Sequence, residues 1–233
     1  MYAPAWNYRS ASAWPQLSDH ERHLLEELFR HTRSEEERLW LDRGRSLLAM
    51  LKDATDMLPC AEDLGSIPPG VPEVLNDLGM LGLRIPRWVR RWTEPGQPYI
   101  PLANYPTLSV CTPSVHDTST LRGWWEDEDD RDDFARAYSP TLSPAPRSLD
   151  PAGQFTLLRS LAGSASQLYV LQLQDLLDLS SAYRSADPGL DRINVPGAVA
   201  DFNWTWRMGP TVEDLAADEA WMELVRAVSS RER

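Results

Sequence analysis

Met57-Leu58-Pro59-Cys60-Ala61-Glu62-Asp63-Leu64-Gly65 writes out, in nine residues, an apolar run followed by a pair of acids. The run lies between Asp56 and Gly65 and reads as a short buried strand. Glu62 and Asp63 stand where it ends, and a turn follows toward Val71-Pro72-Glu73. In α/β barrels the C-terminal ends of the strands carry the chemistry, because the loops there form the pocket. A lone acid in such a place is commonly a turn cap or a solvated side chain. Here a second run, from Leu108 to Val115, also ends in polar groups, His116-Asp117-Thr118. Two polar strand ends favour a site over two unrelated caps.

The flanking chain repeats the alternation of strand and helix. Residues 1–17 lack periodicity and read as a lead-in loop, with one domain expected over 18–233. Ser18-Asp19-His20-Glu21 is a capping box that opens a helix, with Leu24, Leu25, Leu28 and Phe29 turned inward. Ser34-Glu35-Glu36-Glu37 predicts a second helix start, with Leu39, Trp40, Leu47, Leu48 and Leu51 on its apolar face. A short helix over Pro72–Leu78 and a second strand over Gly82–Pro86 follow the acids. Residues 89–107, with Asn104-Tyr105-Pro106, form a loop long enough to be a wall or lid of a pocket.

After His116-Asp117 one helix is expected over Ser119–Tyr138. Its acidic run reads as a solvated face rather than a metal site, since no turn residues shape an oxygen cage. Residues 139–150 read as a linker, Asp150-Pro151 as a helix start, and Leu168–Leu173 as a fourth strand ending at Gln174-Asp175. Thr211-Val212-Glu213-Asp214 caps a last helix to about Ser229. Four strands interleaved with helices are half of a (β/α)₈ barrel.

Composition narrows the function. The chain has 233 residues, 42% hydrophobic, with ten tryptophans, enough to build a core. A net charge of −12 argues against nucleic-acid partners and anionic membrane surfaces, and suits a neutral substrate. The N-terminus lacks the basic and apolar regions of a signal peptide, and no apolar run approaches the roughly 20 residues of a membrane helix, so a cytoplasmic location is expected. Cys60 and Cys111 fall on strands separated by another, roughly 9–10 Å apart, beyond disulfide reach. Two cysteines without a C-x-x-C also leave no structural zinc site, and no cofactor is implied.

Four segments resemble a family. Ala61-Glu62-Asp63-Leu64-Gly65 with Ile67-Pro68 and Val71 is similar to the acid/base segment of the amylomaltases, or disproportionating enzymes, which are 4-α-glucanotransferases. His116-Asp117-Thr118 through Trp124-Trp125 resembles the segment with their third catalytic acid. Arg192-Ile193-Asn194-Val195-Pro196-Gly197 and Asn203-Trp204-Thr205-Trp206-Arg207 resemble their C-terminal signature, in the family's order. Ala103 stands where many amylomaltases have a histidine, and Gln172 where they have a proline.

The resemblance implies retaining transfer of α-1,4-glucan segments (maltooligosaccharides, glycogen or starch) on the C-terminal half of a TIM barrel. Glu62 would be the acid/base and Asp117 the auxiliary carboxylate. His116, Asn104, Asn194 and Trp204 would contact sugar. The family's nucleophile, the aspartate of Arg-x-Asp-His, has no counterpart here, because the single Asp-His, Asp19-His20, lacks the arginine and sits in a helix cap. The isolated chain is therefore expected to be inactive without the missing N-terminal half. Two alternatives are a glucan-binding remnant without chemistry and a half barrel completed by a partner chain.

Overall fold

The computed structural model describes residues 7–65 and 67–231, and the chain divides into two compact units. The first comprises the chain up to Pro59 together with Leu64–Gly79, and the second comprises Cys60–Asp63 together with the chain from Met80 onward.

The first unit is built on α1 (Asp19–Asp53) and α2 (Val71–Asp77), after single 3₁₀ turns at Tyr8–Ser10 and Trp14–Gln16. The first capping box forms: the Glu21 N–H donates to Ser18 Oγ (3.3 Å) and the Ser18 N–H to Glu21 Oε2 (2.8 Å). The box expected at Ser34 does not, and α1 runs straight through it. The acids that would have capped there are ion-paired along the helix instead, Arg33 with Glu37 (2.8 Å) and Arg38 with Glu35 (3.1 Å). Such i,i+3 and i,i+4 pairs favour continuation over a new start. No residue of α1 is buried; Leu24, Leu28 and Trp40, expected to face inward, are exposed. The strand expected from Met57 is also shorter than its apolar run, since Met57 is 75% and Leu58 49% exposed.

The second unit holds the sheet, with β1 (Cys60–Ala61), β2 (Leu81–Arg84), β3 (Ser109–Cys111) and β4 (Leu168–Tyr169). All are parallel, in the order β1-β2-β3-β4. Parallel strands in sequence order, each joined to the next by a crossover, are the arrangement of half an eight-stranded barrel. Helices α3 (Leu121–Asp127), α4 (Arg131–Tyr138), α5 (Pro151–Ala162), α6 (Leu173–Leu177), α7 (Val212–Ala217) and α8 (Glu219–Ser229) complete the unit. Its core gathers Leu121, Trp125, Phe134, Leu149, Leu157, Leu158, Leu161 and Val228, all fully buried.

Three local expectations change. The helix over 119–138 breaks at Glu128–Asp130, where the half-exposed Asp130 pairs with Arg90 and accepts from Tyr99 Oη. The 139–150 linker is packed, with Ser139 and Leu149 buried. The last helix divides at Asp218, whose carboxylate accepts the Trp221 N–H and caps α8 (2.9 Å). The two cysteines lie on strands separated by β2 and are not joined to each other. Burial pushes the Cys111 thiol up to about 11.

Candidate active site

Register decides which side chains can meet. Ala61 pairs with Gly82 and Gly82 with Ser109, so the chain after β1 and the chain after β3 leave the sheet at the same end. Glu62 follows β1 directly, and the loop to α3 carries His116 and Asp117. The two adjacent acids separate in role. Asp63 is a latch: its carboxylate accepts the Leu83 N–H (2.6 Å) and pairs with Arg84 Nη1 (2.9 Å). A Cβ on Gly82 would stand 2.7 Å from Asp63 Oδ2, so glycine there makes room for the latch. Glu62 is exposed.

Around Asp117 two of the sequence motifs converge. Asn194 Nδ2 donates to Asp117 Oδ1 (2.6 Å), and the Asn194 N–H donates to the His116 carbonyl (3.1 Å). Arg192 Nη2 reaches the Asp117 carbonyl (3.4 Å), and His116 Nε2 lies 3.4 Å from Asp117 Oδ2. The Trp204 ring stands 5.1 Å from the His116 ring, tilted by 43°, and is 64% exposed.

Trp204 sits at φ +64°, where a bulky residue is strained by an estimated ~1–3 kcal/mol. Hydrogen bonds hold it there. Its N–H donates to the Ile193 carbonyl (2.8 Å), while Asn203 Oδ1 accepts the Val195 N–H (3.1 Å). An exposed aromatic kept at a backbone cost beside a histidine and a carboxylate is an arrangement suited to a ligand, not to a core.

Beside this loop opens a cleft of about 380 Å³, walled by Asp117, Arg192, Arg87, Trp88, Arg90 and Trp92 among others. The long loop after β2 therefore does supply a wall, through its first part. Its second part descends to the other end of the sheet: the Leu102 carbonyl accepts the Ala165 N–H (2.9 Å) and the Thr107 carbonyl the Gln167 N–H (2.8 Å), both just before β4. Asn104 lies on that segment, so the structure does not bring it to Asp117. Trp88 and Trp92 are among the contributors that escaped sequence reasoning. Their only signal was aromatic residues directly after a strand. Among the described residues no group of three or more His, Cys, Asp or Glu side chains is placed to hold a metal ion. No helix among them is long and apolar enough to cross a membrane.

Beneath the Arg192–Asn194 segment lies a buried ionic cluster. Arg122 of α3 donates to the Ser185 carbonyl (2.8 Å) and stands 3.4 Å from Asp178 and 3.7 Å from Asp191. Asp191 also accepts from Ser185 Oγ (2.7 Å) and from Trp206 Nε1 (3.4 Å). Asp178 is close to two arginines, yet neither of its carboxylate oxygens completes a hydrogen bond. Burial therefore wins over attraction and raises the Asp178 carboxyl to about 7.

An acid whose folded pKa is raised binds a proton that the unfolded chain has already lost, so its contribution to stability falls as pH rises through the folded value. Wild-type stability relative to an Asp178→Asn chain is accordingly expected to fall between about pH 4 and pH 7, by on the order of 3 kcal/mol. Urea unfolding of both chains across that range is the measurement. Parallel curves would contradict it.

A parallel sheet with acids at the C-terminal ends of its strands, beside an aromatic cleft, defines the class: an α/β protein built as a barrel enzyme is built. Within that class, the chain belongs to the 4-alpha-glucanotransferase family (glycoside hydrolase family 77), whose model matches residues 6–212. A 4-alpha-glucanotransferase of Chlamydia muridarum is 37% identical over 179 residues, 76% of this chain and 33% of the relative. One from rice (Oryza sativa subsp. japonica) is 31% identical over 223 residues, 94% of this chain and 23% of the relative. Among solved structures, an amylomaltase from Streptococcus agalactiae in complex with acarbose aligns with a TM-score of 0.57 at 28% identity, over 80% of this chain and 35% of that one. The chain thus spans about a third or less of the length of these relatives.

Proposed function

We propose that this chain supplies the acid/base and the auxiliary carboxylate of a retaining α-1,4-glucan transfer site. In such chemistry one carboxyl group forms a glycosyl ester while another protonates the leaving oxygen and later acts as base. Glu62 takes the second role. Asp117 grips sugar hydroxyls and steadies the oxocarbenium-like charge, helped by His116, Asn194 and the exposed face of Trp204.

The Asn194–Asp117 hydrogen bond, 2.6 Å, carries the reading, because it fixes one oxygen of Asp117 and leaves the other beside His116 for a sugar hydroxyl. The substrates are maltooligosaccharides, glycogen or starch, in the cytoplasm. The nucleophile comes from a polypeptide that contributes the other strands of the barrel.

Calorimetric titration with acarbose and with maltoheptaose tests this. Asp117→Ala is expected to weaken binding about tenfold or more, since hydrogen bonds to a charged group are worth roughly 1.5–3 kcal/mol. Glu62→Gln, which keeps the shape of the side chain, should bind like wild type. Saturable binding that is indifferent to Asp117, or none by the wild-type chain, would remove the proposal.

A further inference from the structure

The loop that presents His116 and Asp117 is gripped on both flanks by two buried ions from the neighbouring strands. After β2, Arg87 sends its guanidinium under the loop. Its Nη2 donates to the Pro113 carbonyl (2.9 Å) and the Ser119 carbonyl (3.2 Å), and its Nη1 to Ser119 Oγ (3.2 Å). After β4, in α6, Asp175 takes the same loop from the other side. One carboxylate oxygen accepts the Leu121 N–H (2.8 Å), and the other bonds Ser114 Oγ, which also bonds Gln172 Oε1 (2.7 Å). The contacts fall at 113 and 119 for Arg87 and at 114 and 121 for Asp175, so they bracket Asp117 from both sides.

Both residues are buried, Asp175 completely. Burial pushes Arg87 down to about 10 and Asp175 upward, and each ion offsets part of that penalty for the other. Among the described residues neither makes an ion pair within 4 Å, so their charges are directed at the loop rather than at a direct bridge. Apolar side chains would fill the same volume without the desolvation cost, so replacing both charges together is the change that separates stability from loop order.

We propose that Arg87 and Asp175 are positioning residues, a charge-compensated clamp that fixes the 113–121 loop and thereby the orientation of Asp117. The clamp rests on the reading of Asp117 as the auxiliary carboxylate. It explains why a short loop between a three-residue strand and a seven-residue helix can hold a half-exposed carboxylate in one pose.

The test is amide hydrogen exchange of the full chain, read by mass spectrometry on peptides covering 112–121 and, as a control, α5 and α8. Three variants are compared with wild type: Arg87→Met, Asp175→Leu and the double change. Each single variant should speed exchange in 112–121 at least about tenfold and melt earlier, since it strands one buried charge. The double variant should regain much of the lost melting temperature while the loop still exchanges fast. That separation of loop order from stability is what a merely structural pair would not give.

Asp175→Asn, which keeps both hydrogen-bonding positions, should restore most of the loop's protection. If a single variant does not fold, Ser114→Ala removes one grip without touching a buried charge and should loosen the same peptide. Exchange unchanged in 112–121, or raised evenly over the whole unit, overturns the clamp. Because exchange is read without ligand, a wild-type chain that fails to bind glucan counts against the glucan reading, while the exchange still decides the clamp.

Discussion

Glucose release from maltotriose by the purified 233-residue chain is expected to stay at the rate measured without enzyme. Retaining transfer needs a carboxylate that attacks the anomeric carbon and a second acid about 5–5.5 Å away. The first acids after β1, β3 and β4 are Glu62 with Asp63, Asp117, and Asp175. Asp63 is held by the Leu83 N–H and Arg84, and Asp175 is fully buried with both oxygens engaged. Neither can approach a sugar. That leaves Glu62 and Asp117, which leave the sheet on strands separated by β2.

Neighbouring parallel strands lie about 4.8 Å apart, so two strand positions amount to roughly 9–10 Å. That spacing suits an acid and an auxiliary group, not an acid and a nucleophile. Asp19 lies in the first turn of α1, paired with Arg22 (3.2 Å), where nothing marks it for catalysis. Removing a nucleophile from such a constellation costs on the order of 10⁴–10⁶ in kcat, and without it Glu62 has no ester to make or break. Adding a polypeptide that brings the missing strands and their aspartate should restore disproportionation, and Glu62→Gln should then abolish it. Turnover by the chain alone that is lost in Glu62→Gln would mean that a nucleophile exists among these residues, with Asp19 the first to mutate.

The candidate site's placement was legible where its signal is local. Glu62 after an apolar run and Asp117 after a second one could be placed at one end of a sheet from strand order alone, and the register puts both there. Asn194 and Trp204 came from a signature whose spacing survives in this chain, and their contacts with Asp117 and His116 follow from a loop that folds back on itself. Asn104 is not brought to Asp117 because a long loop has two ends: Arg90 and Trp92 stay at the cleft, while Leu102 and Thr107 are tied to the start of β4.

The helix start expected at Ser34 failed for a local reason. Ser34 followed by Glu37 satisfies the pattern of a cap, but a cap competes with every ion pair its acid can make along a continuing helix, and a pattern does not weigh that competition. Arg87 went unread, and Asp175 was read only as the end of a fourth strand, for a different reason. A charged residue next to a strand reads as solvated, and only packing shows that it is buried.

Replacing Arg122 by methionine is expected to lower stability by about 3–5 kcal/mol at pH 8, the usual cost of removing one partner from a buried ion cluster. For a unit of this size that is a fall of roughly 10 °C or more in melting temperature. Methionine keeps most of the side-chain volume, so the loss would be electrostatic rather than a cavity. It leaves Asp178 and Asp191 buried with fewer counter-charges, and frees the Ser185 carbonyl that Arg122 now satisfies.

The pH dependence separates this from a packing defect. Asp178 already titrates near 7, so in acid it takes a proton and no longer needs Arg122. The deficit of Arg122→Met should therefore be largest above about pH 7 and shrink toward pH 5, whereas a packing defect would be the same at both. A double variant with Asp178→Leu should recover part of the loss at pH 8. Melting followed by near-UV circular dichroism at pH 5 and pH 8 decides it. A variant within about 1 kcal/mol of wild type at pH 8, or a deficit independent of pH, would mean that Arg122 holds the Ser185 segment by its hydrogen bond alone and that the two carboxylates are compensated by other groups, with Arg184 near Asp178 the first to be tested.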